Sequence, residues 1–408
     1  MVTEVRTSTP LLEIKHLSVD YESVRGAVHA VDDVSLTIER GQIFGLAGES
    51  GSGKSTLAYA IARLLQPPAV VTQGQVLYHP GRHEADRKDD AVVDVLSLNP
   101  AQLRAFRWRD LSIVFQSAMN ALNPVLDIGT QITDVLRAHN PRMTTQQVRL
   151  RAVELLRLVG IAPDRLHSYP HELSGGMRQR AIIAIALALD PEIIIMDEPT
   201  TALDVVVQRD ILAQIMRLRN KFGFSVIFIT HDLSLLLEIA DSIAIMYAGH
   251  IVEMGTQEDI YRHPRHPYSS GLLHSFPKLY GPRRTLTGIP GSPPDLRSVP
   301  TGCAFHPRCP FAFAACHTIE PKLLHIATSR GGGYGGGGDG VLAPPSRGVA
   351  DALRAEPESQ VLPLRLTEPQ ASCDSSVVSR NTQVACHLYD PTLNPEGPPE
   401  SLEFEDVD

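Results

Sequence analysis

The sequence predicts an α/β fold built on a parallel sheet, and three observations predict it. Short apolar runs at residues 43–47 (IFGLA), 193–196 (IIIM) and 225–229 (SVIFI) have the length and content of strands buried on both faces. Segments of helical period lie between them, at residues 55–65, 148–160, 177–189 and 211–219. A stretch rich in Gly and Ser joins the first apolar run directly to the first helix. Strands alternating with helices bury their faces as a layered α/β domain, here interrupted by a helical insertion across residues 123–159.

Each element follows from its own pattern. Residues 11–19 (LLEIKHLSV) and 28–38 (VHAVDDVSLTI) alternate polar and apolar positions, as half-buried strands do. The run at 43–47 stops at Gly48, and residues 92–98 and 113–115 are further strand-like pieces. The segment VRLRAVELLRLVG (148–160) carries apolar residues at helical spacing and closes on Gly160. Beyond residue 260 the composition changes: YRHPRHPY (261–268) leads to an extended, turn-rich GIPGSPPDL (288–296). SRGGGYGGGGDG (329–340) opens a low-complexity stretch, and VACHLY (384–389) is the last segment expected to be ordered.

Composition narrows the function. The 408 residues carry 37 Lys+Arg and 46 Asp+Glu, for a net charge of −9. Residues 351–408 hold twelve acids against three basic residues, so the rest of the chain is balanced. A neutral body without a basic stripe argues against a protein that binds nucleic acid by neutralising phosphates. The greasiest stretch, residues 181–196, is interrupted by Asp190-Pro191 and falls short of the ~20 residues of a spanning helix. MVTEVRTSTP lacks the pattern of a secretory leader, and the five cysteines all lie beyond residue 300. The expectation is a cytoplasmic protein with reduced thiols.

The sharpest motif is Gly48-Glu-Ser50-Gly51-Ser52-Gly53-Lys54-Ser55-Thr56, which fits G-x-x-x-x-G-K-[ST]. Small residues let the backbone curl until its N–H groups point at phosphate oxygens, and the dipole of the following helix favours the anion. Lys54 supplies charge at the β- and γ-phosphates, and the Ser55 hydroxyl can ligate Mg²⁺. Alone the run is a Gly-rich turn; its place between a strand and a helix selects the phosphate reading. The second motif is the apolar run ending in Asp197-Glu198. It puts two carboxylates at the C-terminal end of a strand, where α/β sheets bind ligands. Asp197 would hold Mg²⁺ and Glu198 would act as general base, although an acidic pair in isolation serves equally as a helix cap.

The third motif, Leu173-Ser174-Gly175-Gly176-Met-Arg-Gln-Arg180, resembles the signature sequence of ATP-binding-cassette (ABC) ATPases, although Ser174 alone would pass as a helix cap. Gln116 in VFQSAMNALNP resembles the family's Q-loop, Thr201-Ala-Leu-Asp204 its D-loop with Thr in place of the more usual Ser, and His231 in FITHD its switch histidine. The resemblance spans residues 11–255. It implies the P-loop NTPase fold with a helical subdomain near 117–165 and an antiparallel β-subdomain. It also implies head-to-tail pairs of ATPases, with each ATP held between one phosphate loop and the partner's signature. On this resemblance Tyr21 would stack on adenine, unless it is a core tyrosine. Gln116 would join Ser55 and Asp197 at Mg²⁺, and His231 would hold the γ-phosphate and the attacking water. Ser174, Gly175, Gly176 and Asp204 would act in trans on the partner's ATP.

HPRHPYSSGLL (263–273), GIPGSPPDL and the cysteine segment from Gly302 resemble the C-terminal extension of dipeptide/oligopeptide importer ATPases. That resemblance implies a partner ATPase subunit, two permease subunits, an external peptide-binding protein, and residence at the cytoplasmic face of the cell membrane. Nickel importers share the extension and remain an alternative; a DNA-maintenance ABC ATPase is a remote one, disfavoured by the short insertion and neutral body. Cys303, Cys309 and Cys316 follow a C-x5-C-x6-C spacing, and 69 residues separate Cys316 from Cys386. Four thiolates suit zinc or an iron–sulfur cluster, and the wide spacing favours [4Fe–4S]; unligated cysteines are the plain alternative, and Cys373 is a spare thiol. The expected division is a nucleotide-binding domain at 1–260, a cysteine-bearing extension at 261–325 with 381–391, a flexible Gly-rich insert at 326–380, and a solvated acidic tail at 392–408.

Overall fold

The computed structural model describes residues 10–24, 26–81, 92–116, 121–201, 203–275, 288–326, 382–399 and 401–402. The Gly-rich insert, from residue 327 on, and the start of the helical subdomain at 117–120 lie outside the described residues.

The alternating N-terminal segments form an antiparallel sheet. Strands β1 (Pro10–Tyr21), β2 (Val28–Glu39), β4 (Ala69–Tyr78) and β5 (Val93–Asp94) lie in the order β2-β1-β4-β5. The piece expected to be a strand over 92–98 ends at Asp94, because the Asp94 side chain accepts from the Leu96 amide and turns the chain.

An eight-stranded sheet carries the rest. Its central members are β3 (Ile43–Ala47), β8 (Ser225–Ile229) and β7 (Ile193–Asp197), with β6 (Leu111–Val114) outside β7. All four run parallel. Every residue of β3, β7 and β8 is buried, since helices and the antiparallel sheet cover both faces. The two-residue period sorts their side chains between two cores: Ile194, Met196, Val226 and Phe228 enter one, and Ile193, Ile195, Ile227 and Ile229 the other. Ile229 pairs with both Leu46 and Asp197, so the three strands end level.

The helical insertion is two helices rather than one continuous pattern. Helix α3 (Ile128–His139) is capped by Asp127, and α4 (Thr145–Leu158) begins with a Thr144–Gln147 capping box. Helix α1 (Lys54–Ile61) follows β3, α2 (Pro100–Phe106) precedes β6, and α5 (Gly175–Ala186) and α6 (Val205–Phe222) flank β7. After α7 (Leu233–Ile239), strands β9 (Ser242–Tyr247) and β10 (His250–Thr256) extend the sheet beyond β3.

Residues past 256 are more regular than their composition suggests. Helix α8 (Gln257–Arg262) is followed by α9 (Pro267–His274), where His266 caps and Pro267 occupies the first turn, a position in which proline starts helices. Strands β11 (Leu324–His325) and β12 (Gln383–Val384) pair antiparallel, and β12 also pairs with β10, so the chain returns after the insert to extend the eight-stranded sheet. The tail expected to be solvated from 392 is corrected in part. Leu402 is buried with Val384, Cys386 and Leu388, and its carbonyl accepts from Ser270 Oγ at 2.7 Å. An apolar side chain with a small cluster within reach overrides the acidic composition around it. Among the described residues no helix is long and apolar enough to cross a membrane.

Candidate functional site

The level ends of β3, β7 and β8 gather the site. Gly48 leaves β3 at φ +147°, and a Cβ there would lie 2.2 Å from the Met246 carbonyl oxygen. Gly53 sits at φ +102°, where a Cβ would meet the Ala30 carbonyl at 2.1 Å. Only glycine fits either place. Gly53 is also the N-cap of α1, and no side chain caps that helix, so its first N–H groups face the loop uncompensated.

Lys54 folds back into this loop. Its Nζ donates to the carbonyls of Gly48 (2.8 Å) and Glu49 (2.7 Å) and to Ser52 Oγ (3.2 Å). Burial pushes the ammonium down to about 8, opposed by the Glu198, Asp197 and Glu49 carboxylates. These contacts occupy the ammonium.

Asp197 is fully buried. Its Oδ1 accepts from Ser55 Oγ at 3.1 Å, and the Tyr59 hydroxyl also bonds the carboxylate. Its Oδ2 is buried without a hydrogen-bond partner, and burial raises the pKa of the group. A buried, half-satisfied carboxylate beside a serine hydroxyl is an oxygen donor set suited to a small hard cation.

Glu198 is the hub. Its backbone adopts φ +45°, a left-handed conformation that costs a non-glycine residue on the order of 1 kcal/mol. Its amide donates to the Ile229 carbonyl at 2.9 Å, which anchors the turn to β8. Glu198 Oε1 lies 3.0 Å from His231 Nδ1, and Oε2 accepts from Gln116 Nε2 (3.2 Å) and Thr201 Oγ1 (3.0 Å). Burial pushes the carboxyl up, but the hydrogen bonds from His231 and Thr201, with the charges of His231 and Lys54, outweigh it and hold the group below its ordinary value. The carboxylate is therefore ionised near neutrality.

The structure thus brings Lys54, Ser55, Gln116, Asp197, Glu198 and His231 together. The hydroxyl of Tyr21, at the end of β1, lies 3.2 Å from Thr56 Oγ1 on α1, beside the loop. The remaining residues singled out by motif belong to other helix ends. Ser174 caps α5 through the Met177 amide, Asp204 caps α6 through the Val207 amide, and Gly176 lets α5 pass close to Val207. Within this chain they are tied to their own helices rather than to the Glu198 hub. Sequence reasoning missed Tyr59, Glu49 and the two residues that grip Glu49, Tyr268 and Arg308. Tyr59 lay within reach of pattern reading, five positions after Lys54 on the same helix; the Arg308 contact spans 259 positions and has no local signal.

Cys303, Cys309, Cys316 and Cys386 are free thiols, at most partly exposed. The first three share one loop, in which the Cys303 amide donates to the Cys316 carbonyl. Burial raises Cys303 to about 11 and Cys309 to about 12 and moves Cys386 further in the same direction, with added repulsion among the four sulfurs. The thiols therefore converge closely enough to sense one another's charge. Among the described residues, no group of three or more His, Cys, Asp or Glu side chains is arranged to hold a metal ion.

A phosphate loop, an aspartate–glutamate pair ending a parallel strand and a histidine on the glutamate define an ABC-type ATPase. Residues 31–201 match the family described as ABC transporter, and residues 252–316 match the oligopeptide/dipeptide transporter C-terminal region. The chain belongs to the family of oligopeptide and dipeptide transport ATP-binding proteins. It is 42 % identical over 323 residues to the oligopeptide transport ATP-binding protein OppD of Bacillus subtilis, covering 78 % of this chain and 87 % of that one. The dipeptide transport ATP-binding protein DppD of Haemophilus influenzae is 42 % identical over 323 residues, covering 78 % of this chain and 94 % of the relative. A dimeric ATP-binding cassette solved in a post-hydrolysis state with ADP and Pi superimposes with a TM-score of 0.52 at 27 % identity, covering 60 % of this chain and 99 % of that one. As an ABC ATPase the chain acts on ATP with Mg²⁺.

Proposed function

We propose that this chain is the ATP-hydrolysing subunit of an importer for dipeptides and oligopeptides. The observation that carries the reading is the complete Glu198 hub in a chain whose residues 252–316 match the peptide-transporter C-terminal region. Residues 1–260 form the nucleotide-binding domain, and 261–325 with 381–391 form the extension.

The Gly48–Gly53 loop and the start of α1 bind the phosphates, and Lys54 exchanges its carbonyl contacts for phosphate oxygens. Ser55, Asp197 and Gln116 would hold Mg²⁺, which neutralises charge on the phosphate oxygens. Glu198 accepts a proton from the water that attacks the γ-phosphorus as the bond to the bridging oxygen breaks and ADP leaves. His231, held by Glu198 through Nδ1, meets the γ-phosphate with its other ring nitrogen. Tyr21 flanks the adenine. Ser174, Gly175, Gly176 and Asp204 complete the site of a partner ATPase subunit in trans. Two permease subunits at the cytoplasmic face of the membrane would dock on α3 and α4, and an extracytoplasmic protein would deliver peptide.

The test is Glu198→Gln in the chain assembled with its permeases. The variant is expected to bind ATP, to lose nearly all hydrolysis and to stop uptake of labelled peptide. Normal turnover would refute the general base, and ATP-driven uptake of nickel without peptide would overturn the substrate.

The four thiols support a second site. Two buried and two part-buried thiols that sense one another's charge are what supports an iron–sulfur cluster, which we propose Cys303, Cys309, Cys316 and Cys386 hold. Anaerobically purified protein is then coloured, with iron and inorganic sulfide in equal amounts; a colourless protein with stoichiometric zinc would sink this reading.

A further inference from the structure

Glu49 is the one acidic residue inside the phosphate loop, and every polar group it carries is engaged. Its amide donates to the Tyr268 hydroxyl at 2.8 Å, and its carbonyl accepts from Lys54 Nζ at 2.7 Å. Its carboxylate takes a two-pronged bond from Arg308, Nη1 to Oε2 at 2.6 Å and Nη2 to Oε1 at 3.0 Å. Tyr268 and Arg308 come from the extension, more than 200 positions away in sequence.

Arg308 is itself immobilised. Its side chain is 5 % exposed, Nε donates to the Pro290 carbonyl at 2.8 Å, and Nη1 also reaches the Tyr247 hydroxyl. The guanidinium carbon stands 5.8 Å from the ring centres of both Tyr247 and Phe305. Tyr247, Tyr268 and Phe305 pack on one another with centroids 4.7 to 5.4 Å apart, so the fork is held by a rigid aromatic platform.

A carboxylate in a triphosphate-binding loop is electrostatically adverse unless something cancels it. We propose that Arg308 is a positioning residue for ATP binding: it neutralises Glu49 and braces the phosphate loop from the C-terminal extension. The proposal rests on the reading of residues 48–56 as the phosphate loop. Arg308 also ends the turn His306–Arg308, whose first amide donates to the Cys303 carbonyl, one residue before Cys309. The cysteine loop and the phosphate loop are therefore joined by one side chain, which gives the extension a route to nucleotide affinity.

The experiment measures binding of Mg-ADP to the full chain by calorimetry at fixed salt. Arg308→Ala is expected to raise Kd about tenfold, the size of one uncompensated charge acting at short range through a near-aqueous dielectric. Arg308→Lys should lose part of that, since a point charge replaces the fork. Adding Glu49→Gln to Arg308→Ala should recover most of the affinity, because it removes the charge left unpaired. A purely structural arginine would not be rescued this way, so a loss that Glu49→Gln leaves untouched overturns the proposal. Unchanged Kd in Arg308→Ala does the same, provided Lys54→Ala loses binding in the same assay; if Lys54→Ala also binds normally, the phosphate-loop reading is what fails. Should Arg308→Ala not fold, Arg308→Lys and Arg308→Gln decide, and parental affinity in both refutes the brace.

Discussion

His231 Nδ1 stands 3.0 Å from Glu198 Oε1, joining the loop after β8 to the end of β7. The contact links two residues 33 positions apart and does two things at once: it orients the carboxylate and helps hold its pKa down. His231→Ala should therefore cut hydrolysis by roughly 10²–10⁴-fold, the range for a group engaged in proton transfer, while ATP binding persists. The acid limb of the residual rate should also move to higher pH. Glu198 works as the ionised base, and without His231 its carboxyl protonates sooner as pH falls. A pH–rate profile of the variant checks both effects.

Lys54 supplies a pH dependence of opposite sense. Burial has lowered its ammonium to about 8 in the nucleotide-free protein, and the phosphates bind the charged form. Affinity for Mg-ADP should be full well below pH 8 and fall as pH rises through that value. Calorimetric titrations between pH 6.5 and pH 9.5 would show the decline, and Lys54→Arg, whose charge persists over that range, should not show it.

Asp197 places function against stability. Burial raises its pKa, and Oδ2 has no partner, so the ionised carboxylate strains the nucleotide-free fold. Asp197→Asn should stabilise that state by about 1 kcal/mol at neutral pH while removing Mg²⁺-dependent hydrolysis. The gain should disappear at acid pH, where the parent carboxyl is protonated and the same cost is gone. Thermal melts at two pH values, each without nucleotide, check it.

The glycines of the loop should separate by space. Gly51→Ala keeps a left-handed φ of +81° but meets nothing within 4 Å, so the cost is roughly 1–2 kcal/mol of backbone strain. Gly53→Ala drives a methyl onto the Ala30 carbonyl, which cannot yield without moving β2. Its Tm should fall further and nucleotide binding should be lost, whereas Gly51→Ala should retain binding.

Leu402 tests whether the last segment belongs to the fold. Leu402→Ala removes a buried side chain from the cluster with Val384, Cys386 and Leu388. A loss of about 2 kcal/mol is expected, measured by urea unfolding. An exposed tail residue would show none.

The chemistry of the site was legible because its parts are local. An anion site made of backbone N–H groups needs only a strand end, glycines and a helix start, all within nine residues. The Asp197–Glu198 pair and His231 each sit within two residues of a strand's end, so apolar runs located them. Tyr59 was within reach on α1. The 92–98 segment misled because one side-chain bond from Asp94 to the Leu96 amide ended the strand, and the acidic tail misled because composition cannot see Leu402 find its cluster.

The sequence by itself determined the fold class, the family and the residues that would face a triphosphate, since periodicity and short motifs encode strands, helices and loops directly. Only the tertiary structure decided that β12 returns to complete the sheet beside β10, that Gln116, Thr201 and His231 meet on one carboxylate, and that Arg308 grips Glu49 across 259 positions. Such pairings depend on where the packed core delivers each chain segment. No local pattern of residues carries that information.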